Sequence, residues 1–268
     1  MKIAVIQFPG TNCEYETLVA AKSAAVDGEI FRWNRPAQEL CDFDGYVIPG
    51  GFSYQDRLRA GAIASKEPVM ETLREEAETG KPIVGICNGF QILVESGLLP
   101  GVGGVDAALA QNVMVSKNQI VRRGFYCAWT TLRHDASRNR CAGTFLIEKG
   151  ELLPIPLAHA EGNLVTADEN LIDRLNEENQ VVFRYCDEEG NSTPDYPVNI
   201  NGSVQNIAGI CNPEGNVLGM MPHPERSNFA WQLPAHDPAK KGGLGDLDAP
   251  GPGRRIFESM KRYIEVRR

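Results

Sequence analysis

Short, almost wholly apolar runs alternate with helix-period stretches through the first hundred residues. Residues 2–8 and 82–86 read as a central and a buried parallel strand, and 29–33 and 45–48 as the second and third strands of the same alternation. Between them, residues 14–26, 59–65 and 68–78 carry helical spacing. In the last of these, Val69, Leu73 and Ala77 share one face and acidic residues occupy the other. Asn12 stands where a cap for the first helix belongs. A further helix begins at Phe90, Ile92, Leu93 and Val94, directly behind the 82–86 strand. This β-α-β alternation predicts an α/β fold with an open, mostly parallel sheet and right-handed crossovers.

The pattern then changes. Between residues 111 and 131, apolar and polar positions alternate (Val113, Val115; Phe125, Cys127, Trp129), as in antiparallel strands with one covered face, and 144–147 is read as continuing them. Residues 152–158 lead into a loop, 159–162; 168–178 is helical and 181–186 a strand. Residues 205–211 and 217–221 form a hairpin turned at 213–216, and 255–266 is a closing helix. From 227 to 253 Pro, Gly, Asp and Lys replace any periodicity, which predicts an exposed loop insertion. No internal repeat or long linker divides the chain, so 1–268 reads as a single domain.

Composition narrows the functional classes. With 268 residues there is enough chain for a sizeable core, and the 42% hydrophobic and 23% charged fractions are ordinary. A formal charge of −8 and a pI near 5.2 argue against a nucleic-acid surface. The N-terminus reaches Pro9-Gly10 before any apolar run long enough for a signal or membrane segment, so a cytosolic, cytoplasmic protein is expected. Seven cysteines, without C-x-x-C or Cys/His ligand spacing, point to reduced thiols and to no metal site.

Three turns carry candidate chemistry. In GICNGFQ (85–91), Cys87 falls between a strand and a helix, where a sharp turn lifts a nucleophile off the sheet and the helix N-terminus favours a thiolate. An inert core cysteine is the competing reading of that stretch. Gly50 and Gly51 end another strand, at the edge where open α/β sheets bind ligands, though a plain tight turn would look the same. His223 and Glu225 follow the hairpin. A cysteine, a later His and a Glu two residues on is the constellation for thiolate attack on a carbonyl, with imidazole moving protons and carboxylate orienting it.

Together with FPGTNC (8–13), PGGFSY (49–54), LRAGAIA (58–64) and MPHPER (221–226), these residues resemble the class I, or triad, glutamine amidotransferases. More narrowly they resemble the glutaminase subunits of phosphoribosylformylglycinamidine (FGAM) synthases, over nearly the whole chain. Gln55 departs from the family pattern, which more often has a small residue there.

The resemblance implies a flavodoxin-like sheet with helices on both faces. It implies Cys87 as nucleophile, His223 as general base and acid, and Glu225 as its orienter. The N–H groups of Asn88 and of Gly50-Gly51 would form an oxyanion hole, and Gln91 would contact substrate. His159 and Glu161 would belong to a gate or substrate loop. The implied chemistry is hydrolysis of glutamine to glutamate and ammonia through a γ-glutamyl thioester, without a cofactor on this chain. Ammonia would pass to a large synthetase subunit, in a complex that also holds a small accessory subunit. That synthetase would use ATP and magnesium to convert formylglycinamide ribonucleotide (FGAR) to FGAM in purine synthesis.

Two other readings stand beside this one: an amidotransferase subunit serving another acceptor, or a non-catalytic flavodoxin-like scaffold with a buried, unreactive Cys87. Because free ammonia would be wasted, the isolated chain is expected to be a poor glutaminase until its partner sets the oxyanion turn or gate.

Overall fold

The computed structural model describes residues 1–168, 170–234 and 248–267. Its centre is a nine-stranded sheet. Strands β1 (Lys2–Gln7), β2 (Asp27–Arg32), β3 (Gly45–Ile48) and β4 (Ile83–Ile86) are parallel. Smaller antiparallel pieces are β5 (Ala108–Gln111), β6 (Val113–Ser116), β7 (Gln119–Arg123) and β10 (Glu161–Val165). The remaining strands are β8 (Tyr126–His134), β9 (Leu152–His159), β11 (Val181–Cys186), β12 (Ile207–Cys211) and β13 (Val217–Met220). The order is β2-β1-β3-β4-β13-β12-β11-β8-β9. The first five strands run parallel, and the last four extend them as antiparallel neighbours. β10 pairs with β5, and β6 with β7, outside the main sheet.

Helices cover both faces of the parallel block. Successive strand residues point to opposite sides, and β3 shows the consequence. A side chain at Gly45 would meet Met260 of α5 (Arg254–Arg267), whereas the next residue, Tyr46, hydrogen-bonds Glu76 of α2 (Pro68–Glu78). On the α2 face lies α3 (Asn88–Glu95), and on the α5 face lies α1 (Glu14–Ser23). Phe90 of α3, 1% exposed, covers the bare backbone of Gly219. Removing that ring would cost about 3–5 kcal/mol. A short helix, α4 (Leu171–Glu177), precedes β11 and buries Leu171, Ile172 and Leu175.

Several local expectations need correction. Residues 59–65 are turns and one short 3-10 segment, not a helix, because Gly61 at φ +82° lies against the backbone of Gln91 and Ile92. Residues 142–144 form a 3-10 turn in place of strand continuation. Asn12 caps nothing: Cys13 holds the cap position of α1, with no side-chain bond. Residues 159–162 are a tight strand-to-strand connection, not a loop. In the 227–253 stretch the two ends are packed, because Ser227 and Asn228 are buried and Phe229 bridges to Pro250. Its middle, 235–247, lies outside the described residues.

Candidate active site

Three neighbouring parallel strands end at one edge, and their following residues meet there. β3 delivers Gly50 and Gly51, β4 delivers Cys87, and β13 delivers His223. Because Ile86 pairs with Met220, the residues after them start side by side, and the Cys87 N–H donates to the Met220 carbonyl at 2.8 Å. β9 is the far edge strand in the pairing order, yet the sheet curls until the His223 N–H reaches the Pro156 carbonyl at 2.8 Å. The Cys87 thiol lies 3.8 Å from the Ala158 carbonyl.

Cys87 sits at φ 52°, ψ −106°, a conformation that costs a residue with a side chain of order 1–3 kcal/mol and persists only where its surroundings enforce it. Gly85 and Gly89 enforce it. Cβ atoms there would fall 2.5 Å from Leu93 and 1.9 Å from the Ile48 carbonyl, so only glycine lets α3 press onto β3 and β4 behind the thiol. The Asn88 N–H, in the first turn of α3, has no intrahelical acceptor.

His223 Nδ1 donates to Glu225 Oε1 at 2.5 Å, and both side chains are buried. Burial opposes a charge on this imidazole. The Glu225 carboxylate and the negative charge of Cys87, with contacts to Cys13 and Cys87, outweigh it and hold the His223 pKa well above the usual histidine value. Nε2 of His223 and Oε2 of Glu225 have no partner among the described residues. The arrangement can store an imidazolium beside a thiolate and hand its proton to a departing amine.

A narrow pocket opens on the thiol, lined by Gly51, Phe52, Asp56, Cys87, Gln91 and Glu161, with His159 in its wall. Gln91 is already engaged: Nε2 donates to the Glu161 carbonyl at 2.5 Å and Oε1 accepts from Asn88 Nδ2 at 2.9 Å. Asn88 Oδ1 in turn accepts from the Ser53 N–H at 3.1 Å. These amides therefore tie α3 to the glycine turn and to β10, and their polar ends do not point free into the pocket.

His159 behaves unlike His223. Asn112 Nδ2 donates to the carbonyls of His159 and Gly124, which orients its Oδ1 toward the His159 ring at 3.2 Å. Oδ1 can only accept, so Nδ1 carries the proton and Nε2 is left as an unpartnered acceptor. Burial, and then the charge of His223, push the His159 pKa down to about 3. A Cβ at Gly162 would lie 2.3 Å from this ring, which is therefore a fixed wall.

Sequence reasoning gave no role to Cys13, Arg226 or Asp56. Cys13 Sγ lies beside His223, where a Cβ on Gly50 would touch both, and burial pushes its thiol up to about 11. Donor atoms of Cys13, Glu16, His223 and Glu225 gather within 4.8 Å. The Arg226 guanidinium fills the cation's place there, 3.1 Å from Cys13 Sγ and 2.8 Å from Glu16 Oε1. The only sequence signal for Cys13 and Arg226 was membership in the FPGTNC and MPHPER segments; for Asp56 it was adjacency to PGGFSY.

Residues 1–264 match the family model for the CobB/CobQ-like glutamine amidotransferase domain. The chain is 69% identical over 268 residues to phosphoribosylformylglycinamidine synthase subunit PurQ of Methanothrix thermoacetophila, covering all of both chains. It is 48% identical over 264 residues to the same-named subunit of Pyrococcus furiosus, covering 98% of this chain and 99% of the relative. Among solved structures, a chain of PurLQS from Thermotoga maritima superposes with a TM-score of 0.72 at 33% identity, covering 98% of each chain. A putative GMP synthase subunit from Thermoplasma acidophilum, 14% identical with a TM-score of 0.55, shares the fold over all of this chain and 95% of its own.

Proposed function

The chain belongs to the CobB/CobQ-like glutamine amidotransferase family, and from that premise we propose how its Cys87 site makes ammonia. It acts as the glutaminase subunit of phosphoribosylformylglycinamidine synthase in purine biosynthesis. The Cys87 thiolate adds to the γ-carbonyl carbon of glutamine. The oxyanion is met by the Asn88 N–H and by the Gly50-Gly51 turn, where losing one donor typically costs about 10²–10³ in rate. As the tetrahedral intermediate collapses, His223 gives its proton to the nitrogen and ammonia leaves. Water then attacks the thioester, His223 takes up the proton, and glutamate is released with the thiolate restored. Glu225 holds the ring and its charge throughout. Gln91 and Asn88 side chains position the turn.

Ammonia passes to a synthetase subunit that uses ATP and magnesium to turn FGAR into FGAM, in a cytoplasmic complex that includes a small accessory subunit. No helix among the described residues is long and apolar enough to cross a membrane. The observation that carries the mechanism is the buried His223–Glu225 pair beside Cys87 on its left-handed turn, at the ends of adjacent strands.

The test is glutamate release from glutamine, by the chain alone and with the synthetase subunits, ATP and FGAR, for the wild type and Cys87→Ala. Release that depends on Cys87 and rises with the partners supports this reading. Equal release with and without partners would overturn the idea that the complex sets the site, and release surviving in Cys87→Ala would remove the nucleophile assignment.

A further inference from the structure

The reaction at Cys87 concerns only the amide end of glutamine, yet the pocket holds two carboxylates that the chemistry does not use. Asp56 and Glu161 line it together, from the segment after the glycine turn and from the start of β10. Oδ1 of Asp56 is shut off from solvent and meets no hydrogen-bond partner among the described residues. Burial and the charge of Glu161 push the Asp56 carboxyl up to about 6, as befits a carboxylate lacking a cation. Glu161 is fixed, with Oε2 accepting the Ala60 N–H at 3.1 Å. The backbone bearing Asp56 is fixed as well: the Tyr54 N–H donates to the Pro9 carbonyl at 2.7 Å, and Trp33 Nε1 donates to the Tyr54 hydroxyl at 2.5 Å.

Acidic neighbours alone would say little. A separate observation also points to a polar ligand here: His159, 2% exposed, lies in the wall of the same pocket with an acceptor nitrogen that has no partner among the described residues. A buried acceptor left without a partner costs about 1–3 kcal/mol, which a bound donor would recover. Arg59, whose charge interacts with Glu161, is committed to Glu95 through both carboxylate oxygens. A small cation brought in by the ligand would supply the partner that Asp56 Oδ1 lacks among the described residues.

We propose that Asp56, backed by Glu161, binds the α-ammonium group of the substrate, so that the site accepts a free amino acid and discriminates against amides lacking that charge. This rests on the glutaminase reading above and adds the recognition of the substrate's other end.

The experiment compares L-glutamine with glutaramate, which has the same carboxylate and amide but no amino group, and L-glutamate with glutarate as competitive inhibitors. Wild type, Asp56→Asn, Asp56→Glu and Glu161→Gln are assayed in the complex with the synthetase, once circular dichroism confirms folding. Removing one partner of a desolvated charge pair typically lowers affinity about 30-fold or more. The wild type is expected to favour glutamine and glutamate strongly. Asp56→Asn should shrink both preference ratios about 30-fold or more, Glu161→Gln less, and Asp56→Glu should restore part of the loss. Ratios unchanged in Asp56→Asn and Glu161→Gln, or no preference in the wild type, would overturn the proposal while leaving the glutaminase reading intact. Absence of any Cys87-dependent glutamate release in the wild-type complex would instead remove that reading and this inference with it.

Discussion

Two strand-to-helix turns in this chain place a buried cysteine at a helix start and aim it at the same imidazole. β1 leads through Cys13 into α1, and β4 leads through Cys87 into α3. Burial is nearly equal, 1% exposed at Cys13 and 5% at Cys87. Their backbones differ: Cys13 takes an ordinary φ of −102°, whereas Cys87 is forced to +52°. Cys13 is walled by Gly50, Asn12 and Arg226, and its thiol is pushed up to about 11 because burial outweighs the nearby His223. Cys87 opens on the pocket. Both thiols share a helix N-terminus and a neighbouring histidine; the strained turn and the adjoining cavity set Cys87 apart.

The sharpest way to break this contrast is to remove each thiol in turn. Cys87→Ala should lower partner-stimulated glutaminase activity by on the order of 10⁴-fold or more, as loss of a covalent nucleophile does. Cys13→Ser should keep activity within about tenfold, since its sulfur touches His223 and Arg226 but faces no substrate. A glutamine-analogue electrophile should label wild type and Cys13→Ser and spare Cys87→Ala. Exposed Cys41 and Cys127 make a general alkylating reagent uninformative here. Equal losses in the two variants would mean that both thiols take part.

How much of this was legible in the chain follows from where the information resides. Residues 45–48, 68–78 and 181–186 were readable to the residue because burial on both faces, or a clean amphipathic stripe, leaves a local mark. Cys87, His223 and Glu225 were readable as a constellation because each follows a strand in a recognisable short segment. The false helix at 59–65 shows the limit: its spacing is helical, but Gly61 takes a left-handed conformation to fit against α3. Cys13, Arg226 and Asp56 converge on the site only through the pairing of β1, β3, β4 and β13, and no spacing in the sequence encodes that. Gln91, expected to contact substrate, lines the pocket, but a sequence cannot reveal that its amide is already spent on Asn88 and Glu161.

The second test asks what His223 contributes to each thiol. Replacing Glu225 with Gln keeps the shape and removes the charge that raises the imidazole's pKa. The expected loss in kcat is on the order of 10³–10⁴-fold, by analogy with neutralising the acid of a Ser-His-Asp triad. The sign of the pH effect is fixed by the raised His223 pKa. An imidazolium held above its ordinary value keeps its proton as pH rises and surrenders it only on passing the folded-state value. The alkaline fall of kcat/KM should therefore move to lower pH in Glu225→Gln. The stability this pair contributes is present in full below the unfolded histidine value and lost as pH rises through the folded one. An unchanged alkaline limb would show that Glu225 orients the ring without holding its charge.

The smallest effect sharpens the backbone half of the comparison. Strain at Cys87 fits its proposed role as a nucleophile, which needs a side chain, but three consecutive residues, Tyr54, Gln55 and Asp56, also take positive φ values of 52°, 61° and 53°. Tyr54 is held by Trp33 and Glu67, and Asp56 lines the pocket, so both have reasons to stay. Gln55 has little: it is exposed, and among the described residues its amide oxygen accepts only from Arg57, at 3.1 Å. A left-handed residue with a Cβ costs about 1–2 kcal/mol, and glycine gives back roughly 0.5–1 kcal/mol of that as backbone entropy. Gln55→Gly should therefore raise stability by about 0.5 kcal/mol in urea denaturation, and Gln55→Ala should not. Glutaminase activity in the complex should change less than about twofold in either. If Gln55→Gly instead lowered activity tenfold while raising stability, the strain at Gln55 would share the role of the strain at Cys87, holding the segment that carries Asp56 in its working position.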